Sequence, residues 1–438
     1  MEASHQLALR NPREVLWRTH EGDRRPDANT SPPSQATAAH RTAIFNVKYS
    51  PNLGDGIIAE CLEGELRRAD PCLDPVSLDL AGRTRFSPAH GRHRTALLSL
   101  LEWLPPALRA RAIPAFLVPL VRFRLAPRWY RCLRDCDSVI VGGGALFQDV
   151  DQNFPIKIAQ ALRLANRRRL PVAIASVGVS RHWTPAGRKR LASGLLAARL
   201  VSLSVRDSDS GSAWRSVLGP LGVGPARFAP DPGLLSARQY GSGPAPAPGH
   251  PHMALCVTAP IALRLHHEEG HVESHLEAWM RAVARQLASR GHDVTLFTNG
   301  SPEDRLFRDR LRARLGEEPC VHFAPDFARP GDLARFLSGF GCVLAHRLHA
   351  CIVAYSYGVP TVGFAWDRKL ESFFEQTGRS RFVVDPRETS PMDLADLAVA
   401  AMAEGIDAEV HAQLIEAATS AIRTLAGELT ARTATGVP

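Results

Sequence analysis

The sequence has no run of 18 uncharged apolar residues, so no membrane-spanning helix is expected. Its first residues lack an apolar core flanked by a basic start, so no secretory leader is expected either. Cysteine is sparse and scattered: eight residues, mostly set in apolar runs such as those around Cys256, Cys342 and Cys351. Cys132 and Cys136 are four apart with no second pair to complete a metal site. Reduced thiols of a cytoplasmic enzyme fit this usage better than disulfides or zinc. No Gly-x-Gly-x-x-Gly follows a strand, which excludes a dinucleotide fingerprint. No zinc-finger, basic-zipper or RNA-platform pattern accompanies the net charge of +9, which argues against nucleic acid. That charge then points to an anionic membrane surface or an acidic small substrate.

The chain has 438 residues, 45% of them apolar and 22% charged, which suits two globular domains plus tails. Residues 1–40 are polar with Pro/Ser clusters and read as a flexible arm. Strand and helix signals then alternate twice. A first set fills 41–240, the Pro/Gly-rich segment 241–250 reads as a linker, and a second set fills 251–438. Alternation of this kind gives parallel, doubly wound sheets, so an α/β protein of two Rossmann-like domains facing a cleft is expected.

In the first set, Ala43 to Tyr49 reads as a strand and Ile57 to Arg68 as a helix. The turn between them carries Asn52, Gly54 and Asp55. It suits either close approach of backbone to a ligand or a tight turn with Asp55 capping the helix. Ser138 to Val141 is a strand, followed by a turn of three glycines, Gly142, Gly143 and Gly144, and by Gln148 and Asp149. Such a turn suits a bare backbone against a ligand or a sharp bend forced by packing. Val201 to Val205 is a strand ending at Arg206, which either contacts a ligand or pairs with Asp207 or Asp209. Between Arg83 and Arg134, arginines interleave with large apolar residues, and Trp103 and Trp129 flank the stretch. This is either an interfacial patch or helices that cover the sheet with arginines turned outward.

In the second set, the stretch Cys342 to Asp367 is the most informative. Cys342 to Ala345 is an apolar strand. His346, Arg347 and His349 stand where it hands over to a helix, Leu348 to Tyr357, stopped by Gly358 with Pro360 beyond. Thr361 to Trp366 is a second strand. A cation and two imidazoles at a strand's carboxyl end, against a helix N-terminus, make an anion site. Arginine suits carboxylate and phosphate because its planar fork bonds both oxygens, and histidine beside it carries a proton at neutral pH. His346 and His349 lack the further ligands a metal needs. His266, His267 and His271 fall in a loop and read as solvated.

These residues together resemble the polysaccharide pyruvyl transferase family over about Ala43 to Val384. The resemblance rests on Asn52-x-Gly54-Asp55, Gly142-Gly-Gly144 with Gln148-Asp149, Arg206-Asp207 and Asp231-Pro232. Its most specific part is Arg347-Leu-His-Ala350 with Gly358-Val-Pro-Thr-Val-Gly363 and Asp367-x-Lys369. It implies a fold like that of two-domain GT-B glycosyltransferases, with phosphoenolpyruvate as donor and a saccharide with two free hydroxyls as acceptor. It implies donor contacts from Arg347, the Leu348 backbone and His349, with Arg206 as a second cation and Asp55 nearby. Asn52, Gly54, Gly143, Gly144 and Asp149 fall in its substrate-binding motifs. The chain departs from the pattern at His346, where small or apolar residues are common, and at Ala145, where a fourth glycine is.

The donor's chemistry fits these residues on its own terms. It carries two anionic groups, and its methylene carbon must be protonated before a hydroxyl adds at C2. His349 is the expected acid, and Asp55 or Asp149 the expected acceptor of the hydroxyl proton. No cofactor or metal is called for. Two other classes compete: a nucleotide-sugar glycosyltransferase, with Glu371 or Glu375 as its ribose acid, and a non-catalytic carbohydrate-binding protein. A lipid-linked acceptor would make Leu97 to Trp129 a membrane-facing patch.

Overall fold

The computed structural model describes residues 39–87, 106–243, 252–260, 272–365 and 368–434. The expected arm up to residue 38, linker residues 244–250, the His266/His267/His271 loop, Trp103 and Trp366–Asp367 lie outside them.

Two six-stranded parallel sheets form the frame. The first has the order β2-β1-β3-β4-β5-β6. Its strands are β1 His40–Asn46, β2 Leu73–Asp79, β3 Ser138–Phe147, β4 Pro171–Val179, β5 Arg199–Val205 and β6 Arg227–Phe228. The second has the order β12-β11-β10-β7-β8-β9. Its strands are β7 His252–Cys256, β8 Asp293–Phe297, β9 Val321–Phe323, β10 Cys342–Ala345, β11 Thr361–Phe364 and β12 Val383–Val384. In each sheet the strand order reverses once, between β1 and β3 and between β7 and β10. The crevice outside the carboxyl ends of strands at such a reversal is where α/β sheets bind ligands. The Asn52–Asp55 turn follows β1, and Arg347 follows β10.

The central strands are buried on both faces and read as continuous apolar runs, which is why β4 and β10 were plain in the sequence. The edge strand β2 was not. It reads Leu-Asp-Pro-Val-Ser-Leu-Asp, and its proline is tolerated because it pairs on one side only. β1 begins at His40, earlier than expected, with His40 Nε2 2.9 Å from Ser138 Oγ in β3.

Three expectations need correction. The helix after β1 is Leu53–Ala69, and Asn52, not Asp55, caps it by accepting from the Gly54 N–H. The three glycines do not form a turn; they continue β3 to Phe147. Gly143 and Gly144 have φ of +82° and +79°, and the pairing with β4 shifts between Gly144 and Phe147. Trp129 is not part of an exposed surface at the end of the arginine-rich stretch. It is buried edge-on against Phe45 of β1, with ring centroids 5.4 Å apart.

One face of the first sheet is covered by the helices Pro106–Leu120, Ala126–Leu133, Asn153–Arg167 and Pro185–Ala197, in a core of its own. On the other face, Ile44, Ile57 and Cys61 join a core continuous with the second sheet. The last helix, Ala408–Ala434, returns to pack on Leu53–Ala69 and on β4 and β5. Arg227 holds it there with a forked pair to Glu428 at 2.6 and 2.7 Å. No helix among the described residues is long and apolar enough to cross a membrane.

Candidate functional site

Arg347 occupies the cap position of the helix Leu348–Ser356, directly after β10. Its Nε and Nη2 both donate to Asp304 Oδ2, at 3.1 and 2.6 Å. Asp304 is fully buried at the start of the helix Pro302–Leu315 and also accepts the Ala259 N–H at 2.7 Å. Burial works against the guanidinium's charge, but Asp304 outweighs it, so Arg347 stays charged. The fork is locked on one edge, and Nη1 is left without a hydrogen bond among the described residues. Leu348 and His349 follow in the first turn, where backbone N–H groups have no partner within a helix.

His349 is largely buried, and its Nε2 lies 3.8 Å from Asp231 Oδ2. Asp231 comes from the other half of the sequence, just after β6. Its Oδ1 accepts the Gly233 N–H at 2.8 Å, and its Oδ2 faces Arg206 Nη1 at 3.4 Å. Burial pushes this carboxyl up, but His349, Arg206 and the Gly233 N–H together hold it below the usual carboxylate range. Arg206 itself is 3% exposed and also donates to Asp207 at 3.0 Å. Its guanidinium fills the space a side chain on Gly178 would take, since a Cβ there would sit 2.9 Å from Cζ. Arg206 therefore meets the site through Asp231.

The first turn of Leu53–Ala69 closes the other side. A Cβ on Gly54 would lie 2.7 Å from His349 Cβ, so glycine is what lets this helix reach the imidazole. Asp55 is the next residue. Burial raises its carboxyl above the ordinary value, and His349, the Ser50 hydroxyl, Arg83 and Arg347 only partly offset this. The glycines of β3 make room for the same turn. A Cβ on Gly143 would meet Ile58 Cγ2 at 2.9 Å, and one on Gly144 would sit 3.9 Å from Asp55 Oδ1. The turn is docked on the second sheet as well, because the Leu53 N–H donates to the Asn299 carbonyl at 2.7 Å.

Asn52, Gly54, Asp55, Gly143, Gly144, Arg206, Arg347, Leu348 and His349 are thus gathered around one place. Asp149 is not. Its carboxylate accepts from Gln152 N, Thr184 N and Thr184 Oγ1 at 2.9, 2.8 and 2.6 Å, tying two helix starts together. His346 is also set apart from His349. It is 1% exposed, packs edge-on against Phe364 at 4.7 Å, and burial lowers its pKa to about 3. It is a neutral core residue. Glu371 and Glu375 pair with Arg368 on an exposed helix surface, at 2.5 and 3.5 Å.

Asp231 and Asp304 escaped the sequence reading as site residues. Asp304 sits in Ser-Pro-Glu-Asp, which also reads as an ordinary helix start. The Asp231-Pro232 pair was a signal, but nothing local reveals that its carboxylate meets His349. Chemically, the place offers a charged arginine and a helix N-terminus for an anion. It also offers an imidazole between two carboxylates, one held ionised and one inclined to take a proton.

A family model described as polysaccharide pyruvyl transferase matches residues 52–368. No curated protein matches the chain. Solved structures match its fold at low identity. A UDP-GlcNAc 2-epimerase from Methanocaldococcus jannaschii superposes with a TM-score of 0.51 and 9% identity, over 83% of this chain and 92% of that one. The S. aureus MnaA–UDP structure gives 0.52 and 12%, over 90% and 97%. An alpha,alpha-trehalose 6-phosphate synthase from Burkholderia multivorans gives 0.51 and 13%, over 91% and 97%. At these identities the likeness is one of fold, the GT-B-like pair of Rossmann-like sheets.

Proposed function

Because the chain belongs to the polysaccharide pyruvyl transferase family, we propose that it moves the pyruvyl group of phosphoenolpyruvate onto two hydroxyls of a saccharide. The product is a cyclic ketal, and phosphate is released. The observation that carries this reading is the setting of His349: Nε2 3.8 Å from the ionised Asp231, at the N-terminus of the helix that Arg347 caps.

In this reading Arg347 and the N–H groups of Leu348 and His349 bind the donor's anionic groups. His349, beside Asp231, gives a proton to the donor's methylene carbon, which becomes a methyl. C2 turns electrophilic and the first sugar hydroxyl adds there, its proton passing to Asp55. The C2–O bond to phosphate then breaks, with the electron pair leaving on the phosphate oxygen. The second hydroxyl closes the ring, and its proton goes to the departing phosphate. A carboxyl whose affinity for protons burial has raised suits the role given to Asp55. The scheme uses only anion binding and proton transfer. In this reading the reaction runs in the cytoplasm, where phosphoenolpyruvate is made.

A glycosyl transfer from a nucleotide sugar would ask for a ribose acid in the second half. Glu371 and Glu375 are taken up by Arg368 instead. The test is phosphate release from phosphoenolpyruvate in the presence of candidate saccharides. His349→Ala should abolish it in a protein that remains folded, and turnover near that of the parent would overturn the assignment.

A further inference from the structure

The helices Pro106–Leu120 and Ala126–Leu133, joined by a π-turn at Val121–Leu125, play no part in the chemistry above. Their inward side is Leu117, Val121, Leu125, Trp129 and Leu133, all buried and four residues apart. A four-residue repeat drifts around a 3.6-residue helix, and the wider π-turn takes back part of the drift. Packing on the first sheet therefore accounts for these residues and for the π-turn. It does not account for the outward side.

Phe116 and Phe123 are 65% and 74% exposed, and Leu108, Val118 and Tyr130 are exposed beside them. These are five of the ten exposed large hydrophobic side chains among the described residues, all within 23 positions of the sequence. Along these two helices the charge has one sign. From Pro106 to Arg134 there are seven arginines and no aspartate, glutamate or lysine. Arg111, Arg122, Arg124, Arg128 and Arg131 are exposed and make no ion pair among the described residues. The Arg122 guanidinium lies over the Phe123 ring, 5.8 Å from its centre.

We propose that this arginine-flanked aromatic ridge docks the protein on an anionic lipid bilayer. Aromatic and aliphatic side chains enter the boundary between headgroups and acyl chains, and arginines meet the lipid phosphates. A second copy of the chain is a poor occupant, because a two-fold contact would set arginines against arginines. A soluble acidic polymer would satisfy the arginines but leave the phenylalanines in water. The inward side of the same helices reaches towards the candidate site. A Cβ on Gly82 would touch Leu125 Cδ2 at 2.5 Å, and Arg83, its neighbour, pairs with Asp79 and acts on Asp55. Docking there sets the carboxyl ends of the first sheet beside the bilayer, a position suited to a saccharide carried on a lipid. The docking itself does not depend on which donor is used.

The test is co-sedimentation of the full chain with vesicles of phosphatidylcholine alone, or of phosphatidylcholine mixed with phosphatidylglycerol. The protein should pellet with the mixed vesicles at low salt and be released at 1 M salt, where the screening length is about 3 Å. Arg122→Ser or Arg124→Ser should each lower partitioning roughly fivefold. Phe116→Ser/Phe123→Ser should lower it further, with an unchanged melting curve. Three results would overturn the proposal: no pelleting with anionic vesicles at low salt, equal pelleting by the double phenylalanine variant, or a parent dimer that this variant dissociates while vesicle binding is absent throughout.

Discussion

His349 Nε2 and Asp231 Oδ2 are 3.8 Å apart, although 118 positions of sequence separate the two residues. The carboxylate is shared with Arg206 and aimed by the Gly233 N–H, so it cannot turn away from the imidazole without losing both partners. Asp231→Asn keeps the shape and removes the charge. It should lower kcat roughly 100-fold, at the low end of what a general acid contributes, with KM for phosphoenolpyruvate little changed. Stability should respond as well. The carboxyl is held below its ordinary value near about 3.9, so its contribution is complete above that pH and is lost as pH falls below it. Acid unfolding curves should show this loss in the parent and not in the Asn variant.

Gly54→Ala is a steric test of the same geometry. Alanine favours the helix by about 1 kcal/mol. Its Cβ, however, would sit 2.7 Å from that of His349, and relieving such a contact costs about 1–3 kcal/mol. The expected outcome is a folded protein with a small loss of stability and a large loss of phosphate release, read by thermal melts beside kinetics. Unchanged turnover would mean that the imidazole need not be where it is.

Arg347 and Asp304 should behave as a pair. Arg347→Ala strands a fully buried carboxylate and should cost about 3–5 kcal/mol of stability. Adding Asp304→Asn should recover most of that stability and none of the activity. Arg347→Lys keeps a charge but not the planar fork, so KM for phosphoenolpyruvate should rise while the fold holds. Chemical denaturation of the single and double variants separates the two effects.

His346 gives a pH dependence of the same sign as Asp231, but beginning at higher pH. Its folded-state pKa is lowered to about 3, so the fold prefers the neutral ring. Its contribution is complete above the ordinary histidine value of about 6.5 and is lost as pH falls from there towards 3, at about 1.4 kcal/mol per unit. His346→Gln should flatten the stability profile between pH 6 and pH 4 in urea melts. Turnover at neutral pH should be affected far less than by His349→Ala.

Much of this site was open to sequence reasoning because its parts are local. An apolar run, a polar handover and a glycine stop mark β10 and the helix behind it, and Arg347 and His349 fall at the handover. What stayed hidden depends on contacts between distant segments. Asp231 and Asp304 look like helix-capping acids until burial and their cationic partners are known. The glycines of β3 look like a turn, and it is pairing with Ala175 and Val177 of β4 that makes them part of a strand. Asp149 lies in a motif of the resemblance, yet hydrogen bonds to Gln152 and Thr184 occupy it. Edge strand β2 was missed because pairing on one side relaxes the pattern that reveals a strand.

The most direct test of the central claim follows both products of one reaction. The protein is incubated with phosphoenolpyruvate and a panel of saccharides, phosphate is assayed, and the saccharides are weighed by mass spectrometry. The expected result is a pyruvyl ketal on one saccharide and phosphate in equal amount, both lost in His349→Ala. Glycosyl transfer from a nucleotide sugar in a parallel incubation, with no ketal from phosphoenolpyruvate, would contradict it.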